Sequence, residues 1–145
     1  MPSLNEILSS DSKKNQVVDD CCSMIDAEVA DKGGLSGLAI KAGYAAVKNI
    51  KPGFIRHVVH DLLPEFSNAL DPLYQEAKAK NAAVSPHFNQ NAGRVADALL
   101  GITDAKAQRS SGVVKSTYEK LRGTAKKNVE AAVPRLGKLI EKHTV

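Results

Sequence analysis

From Val17 to His143 the apolar residues of this chain recur three and four positions apart, and over no useful length do they alternate with polar ones. That spacing gathers side chains on one face of an α-helix, whereas in a strand it would scatter them over both faces. The chain is therefore expected to be all-α, a single compact multi-helix bundle over residues 1–145 with about six to eight helices, several short or proline-kinked. With no Trp and few Phe or Tyr, the core has to be assembled from Leu, Val, Ile and Ala.

Glycine, proline and capping residues divide the pattern. Ser3 and Glu6 have the spacing of a capping box and predict a short N-terminal helical turn through Leu8, within residues 1–10. Asp11 or Ser12 starts the next helix, with Val17, Val18, Cys21, Met24, Ile25 and Val29 on one side, and Gly33-Gly34 ends it. Leu35 to Ile50 joins Leu38, Ile40, Tyr44, Val47 and Ile50 through Gly37, Ala39, Ala42, Gly43, Ala45 and Ala46, leaving few positions for a solvated face. A helix apolar nearly all round is expected to be buried, so this segment is read as the central helix, with a small-residue dimerisation face as the alternative.

After the break at Lys51-Pro52-Gly53 a stripe runs from Phe54 to Leu63. Pro64 is expected to end or bend that helix, and Asp71-Pro72 to kink the following one or restart it with Asp71 as cap. Asn81 to Ser85 reads as a loop and Ser85-Pro86 as a new cap and first turn. Val95, Ala96, Leu99, Leu100 and Ile102 give the next core face, and Ser110-Ser111-Gly112 a break. Val113 to Leu121 is read as one helix and Thr124 as the start of the last, which Pro134 bends.

Charge is distributed unevenly. Residues 105–145, the basic C-terminal part, carry +7, and the preceding residues carry −3. Lys115, Lys120, Arg122, Lys126, Lys127, Lys138 and Lys142 make a basic interaction surface, and Asp19, Asp20, Asp26 and Asp31 an acidic one. The two surfaces are natural complements within a monomer or across a dimer. The basic end also has the charge of a nonspecific nucleic-acid surface, but Tyr118 is its lone aromatic for base stacking. A membrane-surface role for the Val129 to Ile140 stripe, flanked by lysines, is a further option that lacks interfacial aromatics.

The local constellation closest to chemistry is His57, His60 and Asp61, which helical spacing places on adjoining positions where a metal or a general base is conceivable; a solvated polar face is the plainer reading. No glutamate has a histidine three residues later, which removes the carboxylate-bridged two-metal bundle. The metalloprotease His-Glu-x-x-His, the phosphate-binding loop, the dinucleotide glycine pattern and Gly-x-Ser-x-Gly are absent. Gly33-Gly34-Leu35-Ser36-Gly37 lacks the preceding strand and the lysine of a phosphate loop and reads as a helix-helix turn. Cys21 and Cys22 are adjacent, point about 100° apart on a helix and are expected to stay reduced. No catalytic residue set emerges, and no cofactor is expected.

The first ten residues contain Glu6 and no cation, which argues against a secretory signal, and no run approaches the roughly 18 uncharged apolar residues of a membrane helix. A cytoplasmic protein is expected. Residues 25–32 with 34–37, Leu63-Pro-Glu-Phe66 with residues 69–72, and Tyr118-Glu-Lys-Leu-Arg122 through residues 131–137 resemble an uncharacterised family of small all-helical bacterial proteins, a domain of unknown function. That resemblance implies a compact intracellular helical domain and carries no functional residues. The readings are thus a noncatalytic interaction or assembly protein that self-associates as a homodimer or takes a protein partner; a nucleic-acid-associated protein using the basic C-terminal helices; and a metal-binding protein or metal-dependent enzyme at His57, His60 and Asp61.

Overall fold

The computed structural model describes residues 3–144; the side chains of Leu35, part of the apolar pattern above, and of Ser36 lie outside the described set. The described residues form seven α-helices and no strand: α1 (Leu4–Leu8), α2 (Lys14–Asp31), α3 (Gly34–Lys48), α4 (Phe54–Ala79), α5 (Val84–Gln90), α6 (Ala92–Gln108) and α7 (Gly112–Thr144). The all-α bundle is as expected, but no helix ends at Pro64, Pro72 or Gly123. α4 runs through Pro64 and Pro72, and α7 is one 33-residue helix through Gly123 and Pro134.

These continuities have a physical cause. A proline within a helix removes one hydrogen bond and frees the carbonyl four residues earlier. In α4 the residues supplying those carbonyls, His60 and Asn68, are exposed, so the loss falls on the side of the helix that solvent reaches. Gly123 costs α7 on the order of 1 kcal/mol relative to alanine. The helix continues through it between contacts on two neighbours: Leu121 lies against Gly43 of α3, and Arg122 and Lys126 reach Asp104 and Asp97 of α6.

α4 and α7 are the two long members around which the others are arranged. α4 takes α1, α2, α3, α5 and α6 along its length, and α7 takes α5, α6, α3, α2 and α1. Between them lies the core: Leu4 and Leu8, Val17 and Val18, Leu63, Leu70, Leu73 and Tyr74, Phe88, Val95, and Val133, Leu139 and Ile140. From the Val129 to Ile140 stripe offered above to a membrane surface, Val133, Leu136, Leu139 and Ile140 are thus committed to this core.

The Leu35 to Ile50 segment is not the central helix. α3 lies on the outside, with Leu38 at 64% exposure and Ala39, Ala42, Ala45 and Ala46 open to solvent, and Ile50 in the turn after it is 42% exposed. Its composition misleads because alanine and glycine count as apolar but offer little area, and burial is rewarded in proportion to area. α4 presents leucines and a tyrosine instead and takes the centre. The small residues do allow close approach on one side, where a Cβ on Gly43 would stand 2.9 Å from Thr117 Cγ2 of α7.

Two short helices are capped by distant side chains. Ser3 accepts from Glu6 N at 3.1 Å, as the capping box requires, but the Leu4 amide donates to Asp71 Oδ1 of α4 at 2.8 Å. Asp71 is therefore a cap, although of α1 and not of a restarted helix. α5 begins one residue before the expected Ser85 cap, and the Ser85 amide donates to Glu141 Oε2 of α7 at 2.9 Å.

Candidate functional surface

The acidic side of α2 meets the basic end of the chain within one molecule. Asp20 Oδ2 accepts from Lys142 Nζ at 2.9 Å and lies 2.6 Å from His143 Nε2. Arg135 spans Glu28 and Asp31, the latter at 2.6 Å. The other two predicted acids point elsewhere: Asp19 pairs with Arg56 of α4, and Asp26 accepts from the Tyr44 hydroxyl and lies 3.7 Å from Lys48 of α3. Of the predicted cations, Arg122 and Lys126 turn to α6, on Asp104 at 2.8 Å and Asp97 at 3.1 Å. Lys115, Lys120, Lys127 and Lys138 have no partner among the described residues, and all four are exposed.

His57, His60 and Asp61 do share a face of α4. His57 Nε2 is 3.1 Å and His60 Nδ1 3.8 Å from the Asp61 carboxylate, with side chains about half exposed. Among the described residues no group of three or more His, Cys, Asp and Glu side chains converges where an ion could be held.

The buried imidazoles are the other two, and spacing gave no sign of their partners. His87, 6% exposed, lies 3.1 Å from Glu76 Oε1, and Arg94 grips the same carboxylate with both terminal nitrogens at 3.0 and 2.6 Å. This cluster ties α4, α5 and α6 together. Hydrogen bonds from Arg94 and then His87 hold Glu76 down to about 2, those from Lys142 and His143 lower Asp20, and those from Arg122 and Tyr118 lower Asp104. A depressed carboxylate stabilises the fold above its unfolded pKa and loses that contribution as pH falls through its folded one. The melting temperature of the wild type minus that of Glu76→Gln should therefore be constant near neutrality and shrink between pH 4.5 and about 2. A gap independent of pH would mean that Glu76 is not held as an anion by these partners.

α2, α3 and the start of α4 enclose a cleft of about 190 Å³ lined by Cys22, Asp26, Tyr44, Lys48, Phe54 and Arg56 among others. Its residue types suggest chemistry, but its charges are used locally: Asp26 with Tyr44 and Lys48, Asp19 with Arg56. Both cysteines are free thiols. Burial pushes Cys21 up to about 12, and desolvation also raises Cys22, so neither is an activated nucleophile.

Among the described residues, an apolar side of α3 is left open to solvent. The outward side of α3 presents Leu38, Ala42, Ala45 and Ala46, Ile50 is exposed in the turn that follows it, and Val113 at the start of α7 is 50% exposed. At one end, a groove of about 410 Å³ is lined by Lys32, Gly33, Gly34, Leu38 and Lys41. An apolar helix side that folding leaves open is suited to another apolar surface.

The model of a family of unknown function, DUF6918, matches residues 4–144. No curated protein and no solved structure matches.

Proposed function

The chain belongs to DUF6918, a family of unknown function, so its ancestry supplies no activity, and we propose that it is a noncatalytic protein-interaction domain. The observation that carries this is the open apolar side of α3, with Leu38 more exposed than any other large apolar residue described. Soluble domains seldom leave such residues contiguous without a use for them.

Nucleic acid is the less favoured partner for two reasons. Arg122, Lys126, Arg135 and Lys142 are neutralised by Asp104, Asp97, Glu28 with Asp31, and Asp20. Tyr118, the aromatic available for stacking, turns its hydroxyl inward to Thr103 and Asp104. Lys120, Lys127 and Lys138 remain on the outward side of α7, with no aromatic between them. Phosphate contact without stacking is weak and salt-sensitive.

The discriminating experiment is light scattering on a size-exclusion column with a short generic duplex, at low and at moderate salt. The protein is expected to elute free of the duplex at moderate salt. Co-elution at moderate salt that Lys120→Glu with Lys127→Glu abolishes would install nucleic acid as the partner instead.

A further inference from the structure

The outer face of α3 is not electrically neutral at its edges. On a helical wheel Leu38, Ala42, Ala45 and Ala46 fall within one arc, and Lys41 and Lys48 lie along its border. Lys51 follows in the turn after α3, and Lys41 and Leu38 line the groove together with Lys32, whose side chain is largely covered. Local carboxylates only partly answer these charges. Lys32 is 3.4 Å from Glu28, which Arg135 also holds, and Lys48 is 3.7 Å from Asp26, which the Tyr44 hydroxyl also occupies. Lys41 has no partner among the described residues, and Lys51 has only the Phe54 ring, 6.0 Å away.

The far border is cationic as well. α3 runs antiparallel to α7, because Gly43 sits on Thr117 and Leu121 while Arg135 reaches Glu28 and Asp31 just before α3 begins. The exposed, unpartnered Lys120 and Lys127 of α7 lie along that neighbouring helix. The face is thus an apolar strip between lysines.

That pattern selects among occupants. A second copy of α3, packed antiparallel about a two-fold axis, would set the Lys41 and Lys48 edge against its own equivalent. Packed parallel, it would set that edge against the border on the α7 side. Either arrangement opposes like charges at the rim of a small contact in a chain of net charge +4, which costs affinity and specificity. A helix with an apolar stripe and acidic flanks satisfies both the strip and its rim.

We propose that α3 is a docking face for an amphipathic, acid-flanked helix of a different protein. This rests on the assignment of the face to protein contact. The partner's apolar residues at i, i+3, i+4 and i+7 lie along Ala42, Ala45 and Ala46, where the absence of bulk lets the two backbones approach closely. Leu38 is the large side chain on the helix that fixes its position, with Ile50 exposed in the turn beyond the other end. Glutamates or aspartates on the partner's flanks meet Lys41, Lys48 and Lys51.

The test uses two fluorescent helical peptides of about 20 residues, with the same Leu and Ala stripe and either Glu or Lys on the flanks. Titrated with the full chain, the Glu-flanked peptide is expected to bind with a dissociation constant on the order of 10–100 µM and the Lys-flanked one at least about tenfold more weakly. Leu38→Glu should weaken the Glu-flanked peptide about tenfold without shifting the melting temperature, since Leu38 is largely exposed. Lys41→Glu should narrow the gap between the peptides. Equal binding of both peptides, no binding of either, or a Leu38→Glu protein that binds as well as wild type would each overturn the assignment. So would binding to vesicles of anionic phospholipid that Leu38→Glu abolishes while both peptides are ignored, because a lipid surface would then be the occupant. The duplex experiment above is independent: a chain that ignores both peptides and duplex removes the acid-flanked helix and leaves protein contact in place.

Discussion

Phe88→Ala is expected to lower the unfolding free energy by about 3–5 kcal/mol, read as a shift of the urea midpoint at unchanged slope. Phe88 is 0% exposed and is the largest fully buried side chain described. It projects from α5, a helix of seven residues, into the cluster formed with Leu73, Val84, Val95 and Ile140 among others. Two consequences add. The cavity loses contacts on every wall, because α4 and α7 cannot collapse into it without dragging their other partners along. α5, too short to be stable by itself, also loses the side chain that anchors it. Domains of this size have roughly 5–15 kcal/mol in total, so a large part of the stability is at stake. A loss below about 1 kcal/mol would place the centre of the core elsewhere.

Glycine replacements in α7 should have opposite signs at two positions. A Cβ on Gly137 would stand 2.9 Å from Ser85 Cα and 3.0 Å from its Oγ, whereas one on Gly123 would meet nothing within 4 Å. In an exposed helix interior Gly→Ala gains up to about 1 kcal/mol, and Gly123→Ala should show that gain. At Gly137 the obstacle is backbone, which moves only with the whole of α5. That helix is held on the same face of α7 by Glu141, one turn further on, whose carboxylate accepts from the Ser85 amide. Gly137→Ala should therefore destabilise by about 1–3 kcal/mol despite its better helix propensity, and Gly137→Val by more. Equal effects at the two positions would mean that α5 and α7 are not in close contact there.

Much of this architecture was legible because it is local. The Ser3 and Glu6 capping box, the apolar stripes and the breaks at Lys51-Pro52-Gly53 and Ser110-Ser111-Gly112 all act within a few residues, and each appears where the spacing put it. What escaped depends on distance in sequence. Whether a proline ends a helix depends on where the freed carbonyl lies, and for Pro64 and Pro72 that is the side of α4 that solvent reaches. The place of α3 was misjudged because periodicity reports which residues are apolar, not how much area they offer against competing helices. His87 with Glu76 and His143 with Asp20 are brought together by the fold across 11 and 123 positions, so no motif spacing could announce them. His57, His60 and Asp61 were legible for the opposite reason, as neighbours on one helix, and they adjoin on the exposed side of α4.

The last turns of α7 have a bearing on how the chain is made. Gly137 seats α5, Glu141 caps it, and Lys142 and His143 hold Asp20 of α2, while the His143 carbonyl accepts from Lys13 at 2.9 Å. During synthesis these residues leave the ribosome after all the elements they fasten. α2 and α5 must therefore wait, solvated or loosely collapsed on α4, while some 50 further residues follow α5, a delay of several seconds at about 5–20 residues per second. Closure of α2 and α5 on α7 thus comes only after Lys142 and His143 are made, and until then part of the apolar side of α2 lacks its cover.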